Sequence, residues 1–284
     1  MAEAKSVIQV RKNNGELVPF EIIKLKEALR RSGAAEIEIE AIALQVQSSL
    51  YEGIKTKKIF ELAYSLLGKL SNRSAGRFKL KRALFELGPS GFPFEQFVGK
   101  IIENEGYTVQ TGQFIQGRCV RHEVDVVASK PGKVIMAECK FHQSEGIKSD
   151  VKISLYVHSR FQDIGYKIQE DSSYKNVHFQ PMLVTNTRFT DDAVQFAECS
   201  GLKLLSWDYP SGNGLKDKID RLHFYPVTVL KSLNRQEVLG LLDKGIVLCS
   251  DIVKHPELLD GLHVPDQRIK TIRQEAQTLV SENY

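Results

Sequence analysis

Two short runs carry the residues best equipped for chemistry. Asp125 lies within Val120–Ala128, and Glu138-Cys139-Lys140 closes the run Val134–Lys140. The first run is rich in valine, the second opens with the apolar stretch Val134–Ala137, and both read as adjacent β-strands. In a strand, residues i and i+2 project from one face, roughly 7 Å apart. Glu138 and Lys140 therefore point the same way, and Cys139 points away. Charge at the end of an apolar run needs a partner, because burying it alone is costly. Two carboxylates beside a lysine can hold a divalent cation and activate a water, which is the equipment for metal-dependent phosphodiester hydrolysis. The plainer alternative is a surface ion pair on an amphipathic strand. Glu95, on a helix upstream of both strands, is a candidate third carboxylate.

The surrounding pattern predicts what holds these residues. Phe94, Phe97, Val98, Ile101 and Ile102 have helical spacing, and a strand starts at Tyr107-Thr108-Val109. The two acid-bearing strands follow. A helix is expected over 149–168, a strand over 178–185, a helix over 191–199 and a strand over 202–207. Upstream, Ser6–Val10 and Leu17–Phe20 flank Asn13-Asn14-Gly15, a hairpin signal. Four helices follow it, the third capped at Thr56 and the fourth spanning 72–87. Gly88-Pro89-Ser90-Gly91 breaks the pattern. Residues beyond 226 are again helical in spacing. Three domains are expected, 1–89, 90–222 and 223–284. The fold class is α/β, a mixed sheet flanked by helices, with mainly helical regions on either side.

Composition narrows the function classes. The 284 residues are 42% hydrophobic and 26% charged, with a formal net charge of +4, ordinary for soluble globular protein. That charge permits a nucleic-acid partner without demanding one. The four cysteines are dispersed without a CxxC pair, pointing to reduced thiols rather than disulfides or a zinc site. The amino terminus lacks a signal-peptide pattern, and no apolar run reaches membrane-span length. A soluble, cytoplasmic protein with no membrane partner is expected. Arg160, Lys167 and Lys175, interleaved with Tyr156, Tyr166 and Tyr174, either track a nucleic-acid backbone or form a solvated helix face. His122 is either a phosphate contact or a structural strand residue, and His142, just after the lysine, is either a phosphate contact or a loop residue.

The order helix-Glu, strand, strand-Asp, strand-Glu-x-Lys resembles the PD-(D/E)xK nucleases. More closely, residues 91–209 resemble the Mrr-like restriction endonucleases. The residues that carry this are Gly91-Phe92-Pro93-Phe94-Glu95, Glu105–Val109, His122–Asp125, Ala137–Lys140, Val184–Ala193 and Gly201–Trp207. The resemblance implies a restriction-endonuclease-like sheet. It implies that Asp125, Glu138 and the Cys139 carbonyl bind Mg²⁺ or Mn²⁺, and that Lys140 orients or deprotonates the attacking water. Glu95 would assist through a second metal or a water. Val124 stands where the motif's name has proline.

The first region resembles the ATP-cone, a nucleotide-sensing domain. Val10-Arg11-Lys12-Asn13-Asn14-Gly15, Phe20 and Lys24-Leu25 carry that resemblance. Basic side chains and hairpin amides suit a triphosphate, so ATP or dATP is implied at Val10, Arg11, Lys12, Asn13, Gly15, Phe20 and Lys24. Arg11-Lys12 inverts the usual Lys-Arg order, and Asn14 replaces the usual aspartate. The last region is similar to helix-hairpin-helix DNA-binding domains, through Val238–Leu242, Lys244-Gly245-Ile246 and Leu258–Leu262. Packing against the central domain, or oligomerisation, is the alternative for it.

Together these readings lead to a nucleotide-regulated, metal-dependent DNA endonuclease, acting in defence against foreign DNA as a dimer or higher oligomer. Two alternatives stand beside it: a Holliday junction resolvase or repair nuclease of the same fold, and a nucleotide-responsive DNA-binding protein whose nuclease fold is inactive.

Overall fold

The computed structural model describes residues 8–12, 15–170, 177–262 and 264–281. The chain divides into two compact units, Met1–Leu80 and Lys81–Tyr284. Both hold helices and β-structure, as the α/β expectation requires.

The first unit begins with the expected hairpin. Strand β1 (Gln9–Arg11) pairs antiparallel with β2 (Leu17–Pro19). Ser6, Val7, Asn13 and Asn14, also assigned to this hairpin, lie outside the described residues. Gly15 takes φ +87°, a region open to glycine because it lacks Cβ. Helices α1 (Ile22–Arg31) and α2 (Glu36–Ser48) follow. A two-residue strand, β3 (Ile54–Lys55), then adds in parallel to β1, giving the order β2-β1-β3. It is too short to leave a periodic signal. Helix α3 (Thr56–Leu70) starts immediately afterwards. Thr56, expected as its cap, is instead its first helical residue; Lys55 holds the cap position without a side-chain hydrogen bond. Val10, Leu29, Ile39, Val46, Ile54 and Leu67 bury together as this unit's core. Helix α4 (Asn72–Phe85) passes through the division at Leu80.

The second unit is built on a five-stranded mixed sheet. Helix α5 (Phe92–Glu103) precedes β4 (Thr108–Gln116), β5 (Arg121–Lys130) and β6 (Lys133–Lys140). These three strands form antiparallel pairs in sequence order. Helix α6 (Val151–Glu170) crosses over to β8 (His178–Thr185), which lies parallel to β6. Helix α7 (Asp191–Ser200) crosses to β10 (Lys203–Leu205), parallel to β8. The order is β10-β8-β6-β5-β4. A two-residue pair, β7 (Lys148–Ser149) with β9 (Arg188–Phe189), forms a second small sheet.

Both crossover helices pack on one face of the large sheet, as parallel connections of one hand require. Val157, Phe161 and Ile164 of α6 and Ala193 and Ala197 of α7 bury against Val134, Met136 and Leu183. On the other face, Ile101 and Ile102 of α5 line a cavity with Ile135 and Met182.

Beyond the sheet, α8 (Leu215–Leu222) was not anticipated. Helices α9 (Arg235–Asp243), α10 (Cys249–Lys254) and α11 (Asp266–Val280) follow, with a 3₁₀ stretch Pro256–Leu262 between the last two. Glu237 organises this region. Its carboxylate accepts the Asn234 N–H at 2.8 Å while Asn234 caps α9 in return at 3.0 Å. Arg268 of α11 grips both its oxygens, at 2.8 and 2.9 Å, and also donates to the Ser232 carbonyl. The Glu237 side chain is only 8% exposed, so removing its partner strands a buried charge. Arg268→Ala is expected to lower the unfolding free energy of the chain by about 2 kcal/mol, read from the urea midpoint.

Candidate active site

The site forms where two neighbouring strands part. The β5–β6 ladder runs from Lys130↔Lys133 to Val126↔Ala137. Asp125 and Glu138 are the next residues along each strand. On the other side, β4 and β5 pair at Thr111↔Val126 and again at Gln113↔Val124, passing over Gly112 and Asp125. Gly112 has φ +62° there. Val124 and Val127, three residues apart, both join the core under α6. Along β5, Val124, Val126 and Ala128 are buried in alternation, with Asp125 half-buried between the first two. Freed from the ladder, Asp125 reaches across the fork, and its Oδ2 accepts the Cys139 main-chain N–H at 2.6 Å.

Glu138 and Lys140 share a face, as their spacing requires. Lys140 Nζ donates to Glu138 Oε1 at 2.6 Å. The second oxygen, Oε2, accepts from Arg160 Nη1 of α6 at 2.5 Å. The Arg160 fork also donates to the Glu123 main-chain carbonyl, and its guanidinium lies 5.5 Å from the Tyr156 ring centroid. Glu138 is 4% exposed, so a carboxylate that would be costly alone is held between two cations.

The other two acids lack such compensation. Burial, then the charges of Asp125, Glu123 and Glu138, push Glu95 up to about 7. Burial, then the charge of Glu138, pushes Asp125 up to about 6, against the pull of the Cys139 N–H and of Lys140 and Arg160. The four expected residues Glu95, Asp125, Glu138 and Lys140 thus lie within electrostatic reach of one another. Among the described residues, no three His, Cys, Asp or Glu side chains stand close enough to form a ready metal cage.

Both histidines have structural partners. His122 Nε2 meets Asp163 Oδ2 of α6 at 2.8 Å. Asp163 also accepts the main-chain N–H groups of Cys119 and Val120; these bonds hold its carboxyl well below the usual range, His122 first among them. His142 has its main chain clamped by Asn186, whose Oδ1 accepts at 2.9 Å and whose Nδ2 donates at 2.8 Å. Its Nε2 faces Ser149 Oγ at 3.3 Å. Burial, then the Lys140 charge, lowers its pKa.

In the first unit the proposed nucleotide residues sit around the hairpin. Arg11 Nη1 donates to the Gly15 carbonyl at 3.3 Å, and Lys12 pairs with Glu16 at 3.0 Å. Val10 is buried and Phe20 packs on the core. Lys24 pairs with Glu21 at 2.6 Å and is exposed. Asn13 lies outside the described residues.

Comparison with known proteins names both ends of the chain. Residues 8–81 match the ATP cone domain, and residues 225–280 match the family described as AF1548-like, C-terminal. An uncharacterized protein of Archaeoglobus fulgidus is 32% identical over 160 residues, covering 56% of this chain and 86% of its own length. A solved structure, described as that of a protein of unknown function, AF1548, is 29% identical with a TM-score of 0.56. It covers 67% of this chain and 98% of its own. The chain belongs to the AF1548-like family. Can2 from Sulfobacillus thermosulfidooxidans, solved with cyclic tetra-adenylate, aligns over 70% of this chain and 52% of its own at 14% identity. Its TM-score is 0.34, too low to bear on fold or function.

Two site residues of this AF1548-like chain escape a strand-by-strand reading of the sequence. Arg160 was expected on a nucleic-acid-tracking or solvated helix face; it turns inward to Glu138 instead. Its signal was its position, three residues after Val157 and four before Ile164, inside a buried stripe of α6. Lys167 of the same set is exposed and pairs with Glu170 at 3.7 Å. Tyr174 and Lys175 lie outside the described residues. Asn186 is fully buried and fixes the chain just beyond Lys140. Beside it, Thr185 donates to the Lys140 carbonyl at 2.8 Å.

The raised acids make a pH prediction. A carboxyl whose folded pKa lies above its unfolded value stabilises fully below the unfolded value and loses that contribution as pH rises through the folded one. For Glu95 the window runs from 4.5 to about 7. In EDTA, the stability of wild type relative to Glu95→Gln is expected to fall across that window. Urea midpoints at pH 4.5, 6 and 7.5 measure it; a constant difference refutes it.

Proposed function

We propose that this protein is a nucleotide-regulated, metal-dependent DNA endonuclease, acting in defence against foreign DNA. The observation that carries the reading is the fork of β5 and β6. It gathers Asp125, Glu138 and Lys140, with Glu95 entering from α5. The order α5-β4-β5-β6-β7-α6-β8, with β7 a two-residue strand, supports the PD-(D/E)xK resemblance and, within it, the Mrr-like one.

The donor set fits Mg²⁺ or Mn²⁺. Asp125, Glu138 and the Cys139 carbonyl are hard oxygen ligands, and Glu95 and Asp125 carry negative charge that nearby groups balance only in part. A divalent ion held there would supply Lewis acidity to the scissile phosphate and acidity to a bound water. Lys140 orients the attacking water and neutralises charge that builds on the phosphoryl oxygens. Glu95, with a pKa near 7, exchanges a proton with water at neutral pH. Water attacks phosphorus, the P–O bond to the leaving oxygen breaks, and that oxygen takes up a proton. Double-strand cleavage needs two such sites, so a dimer or higher oligomer is part of the proposal.

The regulatory part rests on the ATP-cone match at residues 8–81. Arg11, Lys12 and Lys24 would meet the phosphates of ATP or dATP, with hairpin N–H groups completing the contact. Arg11 spends one contact on a carbonyl, and the two lysines sit in exposed ion pairs. Exposed pairs are weak, so a triphosphate can take their place.

Purified protein incubated with plasmid and branched DNA tests the enzyme. Cleavage is expected only with Mg²⁺ or Mn²⁺, and Lys140→Ala is expected to slow it about 100-fold. If wild type leaves every substrate intact under all these conditions, the enzyme reading fails. Cleavage confined to branched DNA would favour a junction resolvase. Calorimetric titration with ATP and dATP tests the regulation. Binding heat is expected for at least one, weakened by Lys24→Ala; no heat with either removes the regulatory claim.

A further inference from the structure

We infer that Arg160 holds the place of the divalent cation beside Glu138 and must release that carboxylate when the ion binds. The inference rests on the nuclease reading and assigns a role to a residue that the Asp125, Glu138 and Lys140 set does not contain.

The observations are geometric. Glu138 presents two oxygens, and each already has a charged donor: Lys140 at 2.6 Å and Arg160 at 2.5 Å. Lys140 sits on the same strand two residues away, so its bond follows from local spacing. Arg160 comes from a different element and makes the longer-range commitment. It is held by three contacts at once, to Glu138, to the Glu123 carbonyl and beside the Tyr156 ring. Its side chain is 15% exposed, against 34% for Lys140. The guanidinium therefore approaches from within the molecule, not from its rim.

A guanidinium and a divalent ion compete for the same thing. Both neutralise carboxylate charge, and two cations crowded on one oxygen repel each other. Asp125 Oδ2 is also taken, by the Cys139 N–H. An ion entering at Glu138 therefore meets oxygens that already accept from charged donors. The Arg160 bond is the one whose loss relieves cation–cation repulsion, because the Cys139 N–H carries no full charge. Once released, the guanidinium keeps its Glu123 anchor and is left with free N–H donors beside Lys140. A planar fork of that kind suits a phosphate diester. Arg160 is thus a positioning residue: it keeps Glu138 paired without the ion and gives up that carboxylate when the ion binds.

Mn²⁺ binding to the full-length protein, followed by the electron paramagnetic resonance of free Mn²⁺, tests this without reference to activity. Wild type, Arg160→Gln, Arg160→Lys and Glu138→Gln are compared. Arg160→Gln removes the competing charge and is expected to bind Mn²⁺ about tenfold more tightly, equivalent to one charge-assisted hydrogen bond. Arg160→Lys keeps the charge without the fork, and an affinity between those two is expected. Glu138→Gln is expected to lose the site. If Glu138→Gln loses Mn²⁺ but Arg160→Gln binds no more tightly than wild type, Arg160 is not a competitor, and the nuclease reading stands. If Glu138→Gln binds Mn²⁺ as wild type does, the metal site itself is wrong and this inference goes with it. Should Arg160→Gln fail to fold by circular dichroism, Arg160→Lys decides by the same comparison with wild type.

Discussion

One hydrogen bond sets the geometry of this site: Asp125 Oδ2 receiving the Cys139 N–H across the gap between β5 and β6. A main-chain N–H in a nearly buried strand must find an acceptor. Had the ladder continued past Val126↔Ala137, a main-chain carbonyl of β5 would be the natural acceptor and the strands would stay closed. The Asp125 side chain takes that role instead. The strands can then diverge without stranding a donor, and the acids are displayed in the opening. The same bond ties the two acid-bearing segments together, so Asp125 cannot move far from Glu138 while it persists.

Charge balance follows from that placement. Glu138 lies deepest and is neutralised twice, by Lys140 and Arg160. Glu95 and Asp125 are left facing one another and Glu138, and both give up their protons late. A partly buried cluster of three acids and two cations is short of one positive charge if all ionise. A low-dielectric setting magnifies that shortfall. In the proposed function a divalent ion would offset that deficit, which arises from side chains contributed by α5, β5, β6 and α6.

The elements behind the fork hold it still. Asn186 and Thr185, at the end of β8 and just beyond it, fasten the main chain at Lys140 and His142. Asp163 of α6 gathers His122 and the N–H groups of the Cys119-Val120 turn. The two histidines that a motif reading could assign to phosphate are thereby engaged in local architecture. A lone histidine next to a charged motif carries no sequence mark that separates these roles, because the deciding partner lies about forty residues away.

The order of helices and strands was legible in the sequence because hydrophobic period is a local property. Valine-rich alternation marked β5, a continuous apolar run marked β6, and helical spacing marked α5, α6 and α7. The pairing of Glu138 with Lys140 was legible for the same reason, since strand geometry alone puts i and i+2 on one face. Elements of two residues, such as β3 and β7, were not, because two residues carry no period. Nor was the partnership of Arg160 with Glu138, which depends on how α6 lies across the sheet after a parallel crossover. The sequence by itself determined which acids and which lysine share this region. Only the tertiary structure decided which charges meet, because burial and long-range packing set the cost of leaving any one of them alone.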